Sequence, residues 1–299
     1  MTEEDESAER GDAAVGSPEA VAAECETVDV EVGERVEHVA TVTLSRPDAR
    51  NALDAQLRAE LKDVLDAIER SSMSNRTQSD EAIEASDVRV VVLTGSDESG
   101  AFVAGADVTE LRERGPLEQR EASKRPRVYE YVDDLEQPVI GAINGHALGG
   151  GCELAQACDT RIAREGAKLG QPEINLGIMP GGGGTQRLAR LVGEGQAMKL
   201  ILSGELIDAR QARDIGLVDE VHGEDEFEDR VYDLAESMAE KSPLALEFAK
   251  KAVKASSRMD LEQGIEYEAE LFATLFSTAD KNEGIDAFFD DRDPEWQGK

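Results

Sequence analysis

The segment "VRVVVLTG", residues 88–95, is a nearly unbroken run of β-branched and aliphatic residues closed by a glycine. A strand with one wet face alternates apolar and polar residues, so a run without that alternation belongs to a strand buried on both faces. Such strands occur in parallel sheets covered by helices, and this requirement constrains the rest of the chain. "PVIGAING" (138–145) reads as a second buried strand and "DTRIARE" (159–165) as a third. Helical spacing fits between them, at about 117–135 and 152–158. Strands alternating with helices predict an α/β domain with parallel pairing.

The flanks read differently. Residues 1–26 hold nine acids and one base, with little apolar periodicity, and are expected to be a disordered acidic tail. Residues 28–44 alternate at period two about Gly33, a hairpin pattern. "SRPDARNAL" breaks it, and "NALDAQLRAELKDVLDAIER" follows with helical spacing through Leu53, Leu61 and Leu65. Residues 71–86 are small and polar, and read as an extended surface loop. From Glu194 the pattern is almost wholly helical, apart from a short strand in "GLVDEVHG". Leu261, Ile265, Leu271, Leu275 and Phe276 mark apolar helix faces near the C-terminus. The division is therefore a tail (1–26), an α/β core (27–225) and a helical module (226–299) suited to meeting another subunit.

Charge excludes whole classes of function. With 32 basic and 65 acidic residues, the net charge is 32 − 65 = −33. Phosphate neutralisation needs a basic face, so no nucleic-acid partner is expected. Yet 40% of the residues are hydrophobic, which fits a folded protein with an acidic surface. Lysine is scarce beside arginine, 10 against 22. That balance suits a halophilic protein, solvated in salt where screening shortens to about 3 Å at 1 M. No apolar stretch approaches a membrane span, and "MTEEDESAER" is no secretory signal, so no membrane association is expected. Cys25, Cys152 and Cys158 are odd in number and lack zinc-type spacing with His38, His146 or His222. A reduced, cytoplasmic setting and no metal are the expectation.

Three glycine-rich corners carry the chemistry. "ALGGGCEL" (147–154) reads as strand, turn and helix, with unpaired amides at the helix start that welcome negative charge. "SGAFVAGADVTEL" (99–111) repeats the logic at Ala104-Gly105-Ala106, with Asp107 as the cap of a short helix. Two such corners can aim two amides at one oxygen, an oxyanion hole. "GQPEINLGIMPGGGGTQRL" (170–188) puts Glu173 in apolar company, where an unpaired carboxylate is costly. Thr185-Gln186 stand where a phosphate loop needs lysine and a hydroxyl, which argues against a nucleotide cradle. Taken singly, Glu153 is also a helix-start acid and Glu173 a buried structural carboxylate.

Together these segments resemble the enoyl-CoA hydratase/isomerase (crotonase) family. "RPDARNAL" (46–53) and "KNEGIDAFFDDRDPEWQGK" (281–299) extend the resemblance from about Val28 to Lys299. It implies a spiral of ββα repeats followed by a C-terminal helical region that forms trimers, often stacked in pairs. It implies that the amides of Ala106 and Gly150 hold a thioester oxygen, and that Glu153 and Glu173 are catalytic. It implies that the backbone around Asn51, Ala52 and Leu53 and from Phe102 through Ala104 to Gly105 lines a coenzyme A groove, with Phe288 and Arg292 approaching a neighbour's coenzyme A. No separate cofactor is implied, because coenzyme A is part of the acyl-CoA substrate.

The implied reaction is hydration of a 2-enoyl-CoA to the 3-hydroxyacyl-CoA. Relatives lacking one glutamate run other enolate chemistry, so having both favours hydration over isomerisation or a non-catalytic binding role. Which glutamate holds the proton is left open between the two. His146 reads as a rim or packing residue and Cys152 as a small core residue. The lysines of 239–257 read as a solvated stripe, or as one facing a partner subunit or the coenzyme's phosphates.

Overall fold

The computed structural model describes residues 16–77 and 87–299. Among the described residues, ten strands form two sheets. The larger runs β1 (Val28–Val32), β2 (Val39–Leu44), β3 (Val90–Gly95), β5 (Val139–Ile143), β7 (Thr160–Arg164) and β10 (Glu220–His222). The smaller runs β4 (Ala101–Val103), β6 (His146–Leu148), β8 (Lys168–Gly170) and β9 (Leu206–Asp208). β1 and β2 pair antiparallel from Val28↔Leu44 to Val32↔Ala40, the expected hairpin. β2, β3, β5, β7 and β10 are parallel, as the buried runs require.

The smaller sheet consists of three-residue strands, too short to leave an alternation signature, and was not expected from the sequence. It explains the architecture. Each of β3–β4, β5–β6 and β7–β8 sends its first strand to the large sheet and its second to the small one. A helical segment follows each pair, and successive units stack in register as a spiral of ββα repeats.

The helices are α1 (Pro18–Ala22), α2 (Ala55–Thr77), α3 (Val108–Glu113), α4 (Pro116–Ala122), α5 (Val128–Asp134), α6 (Gly150–Ala157) and α7 (Gly184–Val192). They continue with α8 (Glu194–Ser203), α9 (Ala209–Asp214), α10 (Glu224–Ala239), α11 (Pro243–Ala255), α12 (Leu261–Leu275) and α13 (Ala279–Asp290). On α2, Leu57, Leu61, Val64, Leu65 and Ile68 recur at helical spacing and are fully buried. Each such side chain contributes about 1.5–3 kcal/mol relative to exposure. The opposite face of the large sheet, including Val90, Val92 and Ile140, is covered by Phe227, Val231, Ala235 and Ala239 of α10.

Several sequence expectations are corrected. Within the supposed tail, residues 18–22 form α1, capped by Ser17, with Ala22 buried in the main core; residues 1–15 lie outside the described residues. α2 continues to Thr77 because Ser71 and Ser72 turn inward, Ser71 Oγ donating to the Ile68 carbonyl at 2.9 Å; residues 78–86 are outside the description. The single helix expected over 117–135 is divided into α4 and α5, since Pro126 disfavours helical backbone at Arg125. α10 packs on the sheet, so the core extends past 225 to Ala239.

The lysines of 239–257 also answer to their own chain. Lys250 Nζ reaches Asp159 (2.7 Å) and the Gln137 carbonyl (2.7 Å), and Lys254 reaches Asp133 (2.5 Å) and Asp159 (3.0 Å). The stripe thus pins α11 to α5 and the start of β7. Beyond it, α12 buries none of its residues in this chain, and α13 leaves Phe288 and Phe289 about four-fifths exposed (81% and 78%).

Candidate active site

β6 ends at Leu148 and is followed by Gly149, whose φ of +50° favours glycine and whose amide donates to the Gly170 carbonyl of β8 at 2.9 Å. α6 then starts at Gly150, two residues earlier than expected. A helix's first amides have no partner within the helix, so the Gly150 N–H is free to serve a ligand. A Cβ on Gly151 would overlap the backbone of Val103 in β4, so only glycine lets α6 begin this close to the small sheet.

The second corner is held by a parallel bridge between Leu53 and Ala106. The Leu53 amide donates to Gly105 (2.8 Å) and the Asp107 amide to Leu53 (3.0 Å), which leaves the Ala106 amide outside the ladder. Asp107 caps α3 as expected, accepting from the Thr109 amide at 3.0 Å. A Cβ on Gly150 would stand 3.3 Å from the Ala106 nitrogen and 3.1 Å from the Tyr129 hydroxyl. The two corner amides therefore border one small space beneath Tyr129.

The third corner serves a side chain instead. Glu153, in the first turn of α6, is buried, and its Oε1 accepts from the amides of Gly182 (2.6 Å) and Gly184 (2.8 Å). Gly183 between them takes φ +113°, which lets both amides converge. Arg187 donates to the Gly182 carbonyl at 3.1 Å and Arg127 to that of Gly181, fixing the loop. Burial pushes the Glu153 carboxyl up, and the two amides offset part of that push.

Glu173 lies in the helical turn Pro172–Leu176, partly buried. Burial pushes its carboxyl up to about 7, and the nearby Glu153 adds to the effect. A Cβ on Gly149 would stand 3.1 Å from its Oε1, so glycine at 149 also leaves room for this carboxyl. Gln171 is fully buried behind it. With its amide turned to satisfy both neighbours, Gln171 donates to Glu173 (2.9 and 3.2 Å) and accepts from Gln156 Nε2 (3.0 Å).

An open cleft of about 910 Å³ joins these parts, lined by Ala104, Gly105, Ala106, Gly150, Glu153 and Glu173. Leu111, Leu176, Ile178 and Met179 give it apolar walls. Two amides at one opening can stabilise an oxygen that gains charge. Two carboxyls with raised proton affinities beside it can give and take protons near neutral pH. Among the described residues, no group of three or more His, Cys, Asp or Glu could hold a metal ion.

Residues 34–299 match the family described as "Enoyl-CoA hydratase/isomerase". The chain belongs to this family. It is 42% identical over 265 residues to the 2,3-dehydroadipyl-CoA hydratase of Escherichia coli (strain K12), covering 89% of this chain and 97% of that protein. It is 40% identical over 255 residues to the short-chain-enoyl-CoA hydratase of Clostridium acetobutylicum, covering 85% and 92%. Among solved structures, an enoyl-CoA hydratase from Bacillus anthracis matches with a TM-score of 0.82 and 38% identity, over 92% of this chain and 100% of that one. The spiral of ββα repeats is thus the crotonase fold of this family.

The family-implied residues divide sharply. Glu153, Glu173, Ala104, Gly105, Ala106 and Gly150 all line the cleft. The side chains of Asn51, Leu53 and Phe102 are fully buried and support its wall. Asn51 Nδ2 donates to Ser99 Oγ (2.8 Å) and the Ala101 carbonyl (2.9 Å), tying the 46–51 loop to β4. Leu53 precedes α2 and carries the bridge to Ala106, while Ala52 accepts from Arg46 Nη1 through its carbonyl and is likewise absent from the lining. Phe288 and Arg292 are also outside the cleft of this chain. Phe288 points to solvent, and Arg292 forms a two-pronged pair with Glu283 at 2.6 and 3.0 Å.

The sequence reading missed Tyr129, Gln171 and the amides of Gly182 and Gly184. For Gln171 a signal existed, since a polar residue two positions before Glu173 in an apolar segment needs a partner. Tyr129 had none, because it reads as one more aromatic on a helix.

Proposed function

We propose that the chain is an enoyl-CoA hydratase, adding water reversibly across a 2-enoyl-CoA to give the 3-hydroxyacyl-CoA. The observation that carries this reading is the meeting of Glu153 and Glu173 beside the opening bordered by the Ala106 and Gly150 amides. In the proposed mechanism the thioester oxygen sits on the two amides, which stabilise it as charge moves onto it. Glu153, whose two amide donors offset part of the upward push of burial, takes a proton from water as the water oxygen bonds to the β-carbon. Glu173, with a pKa of about 7, gives its proton to the α-carbon. One proton enters Glu153 as one leaves Glu173, so the pair returns to its starting state by a single exchange. Both roles are what the raised proton affinities of two neighbouring carboxyls favour.

The exposed apolar faces of α12 and α13 support a homo-oligomer, a trimer or a dimer of trimers, in which Phe288 and Arg292 would reach a neighbour's site. Three free thiols support a reducing, cytoplasmic setting, and no helix among the described residues is long and apolar enough to cross a membrane. The net charge of −33 supports a halophilic enzyme.

The test is hydration of crotonyl-CoA in concentrated salt, followed by loss of the conjugated-enoyl absorbance, for wild type, Glu153→Gln and Glu173→Gln. Wild-type turnover in both variants would refute the mechanism. A 3-enoyl-CoA supplied in parallel separates hydration from double-bond isomerisation.

A further inference from the structure

Gln156 and Gln171 are buried side by side behind Glu173, and neither touches the cleft. The contacts run in one line: Gln156 Nε2 lies 3.3 Å from Cys152 Sγ and donates to Gln171 Oε1 at 3.0 Å, and the Gln171 amide donates to Glu173. Gln156 Oε1 has no partner in the described structure. An amide has two unlike ends, so its direction decides what its neighbour meets. With its NH₂ towards Glu173, Gln171 favours a carboxylate there; reversed, its carbonyl accepts from a protonated carboxyl. As placed, Gln156 biases the choice between the two, because its NH₂ faces the Gln171 oxygen.

We propose that Gln156 is a positioning residue for hydration, acting through the direction of the Gln171 amide on the proton that Glu173 holds and delivers. The role rests on the hydratase reading for its catalytic consequence, though not for the proton occupancy itself. Cys152 suits the end of such a line, because a thiol both accepts and weakly donates. The titratable groups facing Glu173 are Glu153 and Cys152 on α6 and Tyr129 on α5. Burial pushes the Cys152 thiol up to about 12 and raises Tyr129 as well, so both stay neutral while Glu173 titrates.

The experiment compares wild type, Gln156→Met, Gln171→Leu and the double variant by two readouts. One is the infrared C=O band of a protonated carboxyl, assigned to Glu173 by its loss in Glu173→Gln and titrated without substrate. The other is the pH dependence of kcat/KM for crotonyl-CoA. Gln156→Met keeps length and apolar packing but releases the Gln171 amide, so the Glu173 midpoint should rise by about half a unit or more. Gln171→Leu should raise it further, and adding Gln156→Met to Gln171→Leu should change nothing more. KM should stay within about twofold of wild type, since neither residue reaches the cleft. An unchanged midpoint in Gln156→Met, or a shift that persists in full in the double variant, overturns the proposal. Should Gln156→Met unfold, Cys152→Ala addresses the same line from its far end, with a smaller rise expected and no change overturning it. Because the infrared titration requires no turnover, a failed hydratase assignment would show as absent activity with the midpoint shift intact.

Discussion

Two glycine corners meet in the cleft and spend their backbone amides in opposite ways. At Gly149–Gly151 the chain leaves the Gly150 amide open, beside an equally open amide at Ala106. At Gly181–Gly184 the amides of Gly182 and Gly184 are already committed to Glu153 Oε1. Glycine is required at both for close approach. At Gly150 a Cβ would crowd the Ala106 nitrogen at 3.3 Å; at Gly182 it would meet Tyr129 Cζ at 2.5 Å and Glu153 Oε2 at 2.6 Å. One corner leaves its amides open to an incoming oxygen, and the other commits them to an oxygen that belongs to the protein. Composition alone does not distinguish them, since each is a run of glycines before a helix.

The largest effect should come from removing what the second corner holds. Glu153→Gln should lower kcat for crotonyl-CoA by about 10²–10⁴, the usual share of a general acid or base, with KM changed far less. A fall in kcat/KM that came wholly from KM would mean the corner positions substrate, not a base. Gly150→Ala should cost about 10²–10³ in kcat by closing the space between the open amides. The two corners can be separated by α-hydrogen exchange of butyryl-CoA in D₂O, which needs the oxygen site and Glu173 but no base for water. Gly182→Ala, which displaces Glu153, should keep that exchange while losing hydration; Gly150→Ala should lose both. Equal loss of exchange in the two variants would erase the distinction.

A smaller effect concerns stability. Glu173 has no pair of committed amides, and its carboxyl is pushed up to about 7 from an ordinary 4.5. Its folded-state pKa exceeds its unfolded value, so its contribution to stability is greatest below about 4.5 and is lost as pH rises through about 7. Glu173→Gln should therefore melt above wild type at pH 8, with the gap closing as pH falls towards 4.5. A gap independent of pH would mean that Glu173 is not held in its acid form by burial. The smallest expected effect is from salt. A chain of net charge −33 repels a polyanionic coenzyme A ester, so the apparent KM should fall a few-fold above about 0.1 M salt, where the Debye length is about 10 Å. A flat or rising profile would remove the screening argument.

Much of this was legible in the residues. The parallel sheet followed from "VRVVVLTG" and "PVIGAING", whose lack of polar alternation leaves no wet face. The two carboxyls of the cleft and the two open corners followed from motifs in which glycines and acids stand close in sequence. The small sheet was hidden because three-residue strands carry no period. The motifs place the backbone of Asn51, Leu53 and Phe102 along the groove, and the structure adds that their side chains are buried and support its wall. A motif records that a residue is required near a site, without saying whether it faces the ligand or props up the residue that does.

By itself the sequence determined the buried parallel strands, the acidic surface and the residue types needed for an oxygen site with two carboxyls. Those are local properties, set by side-chain polarity along a strand and by where glycine frees an amide. Only the tertiary structure decided which amides stay open, because that depends on whether Glu153 reaches them across 29 residues of chain. It also decided that the proton affinity of Glu173 is raised towards neutral pH, since burial is a property of the assembled cleft and of no segment within it.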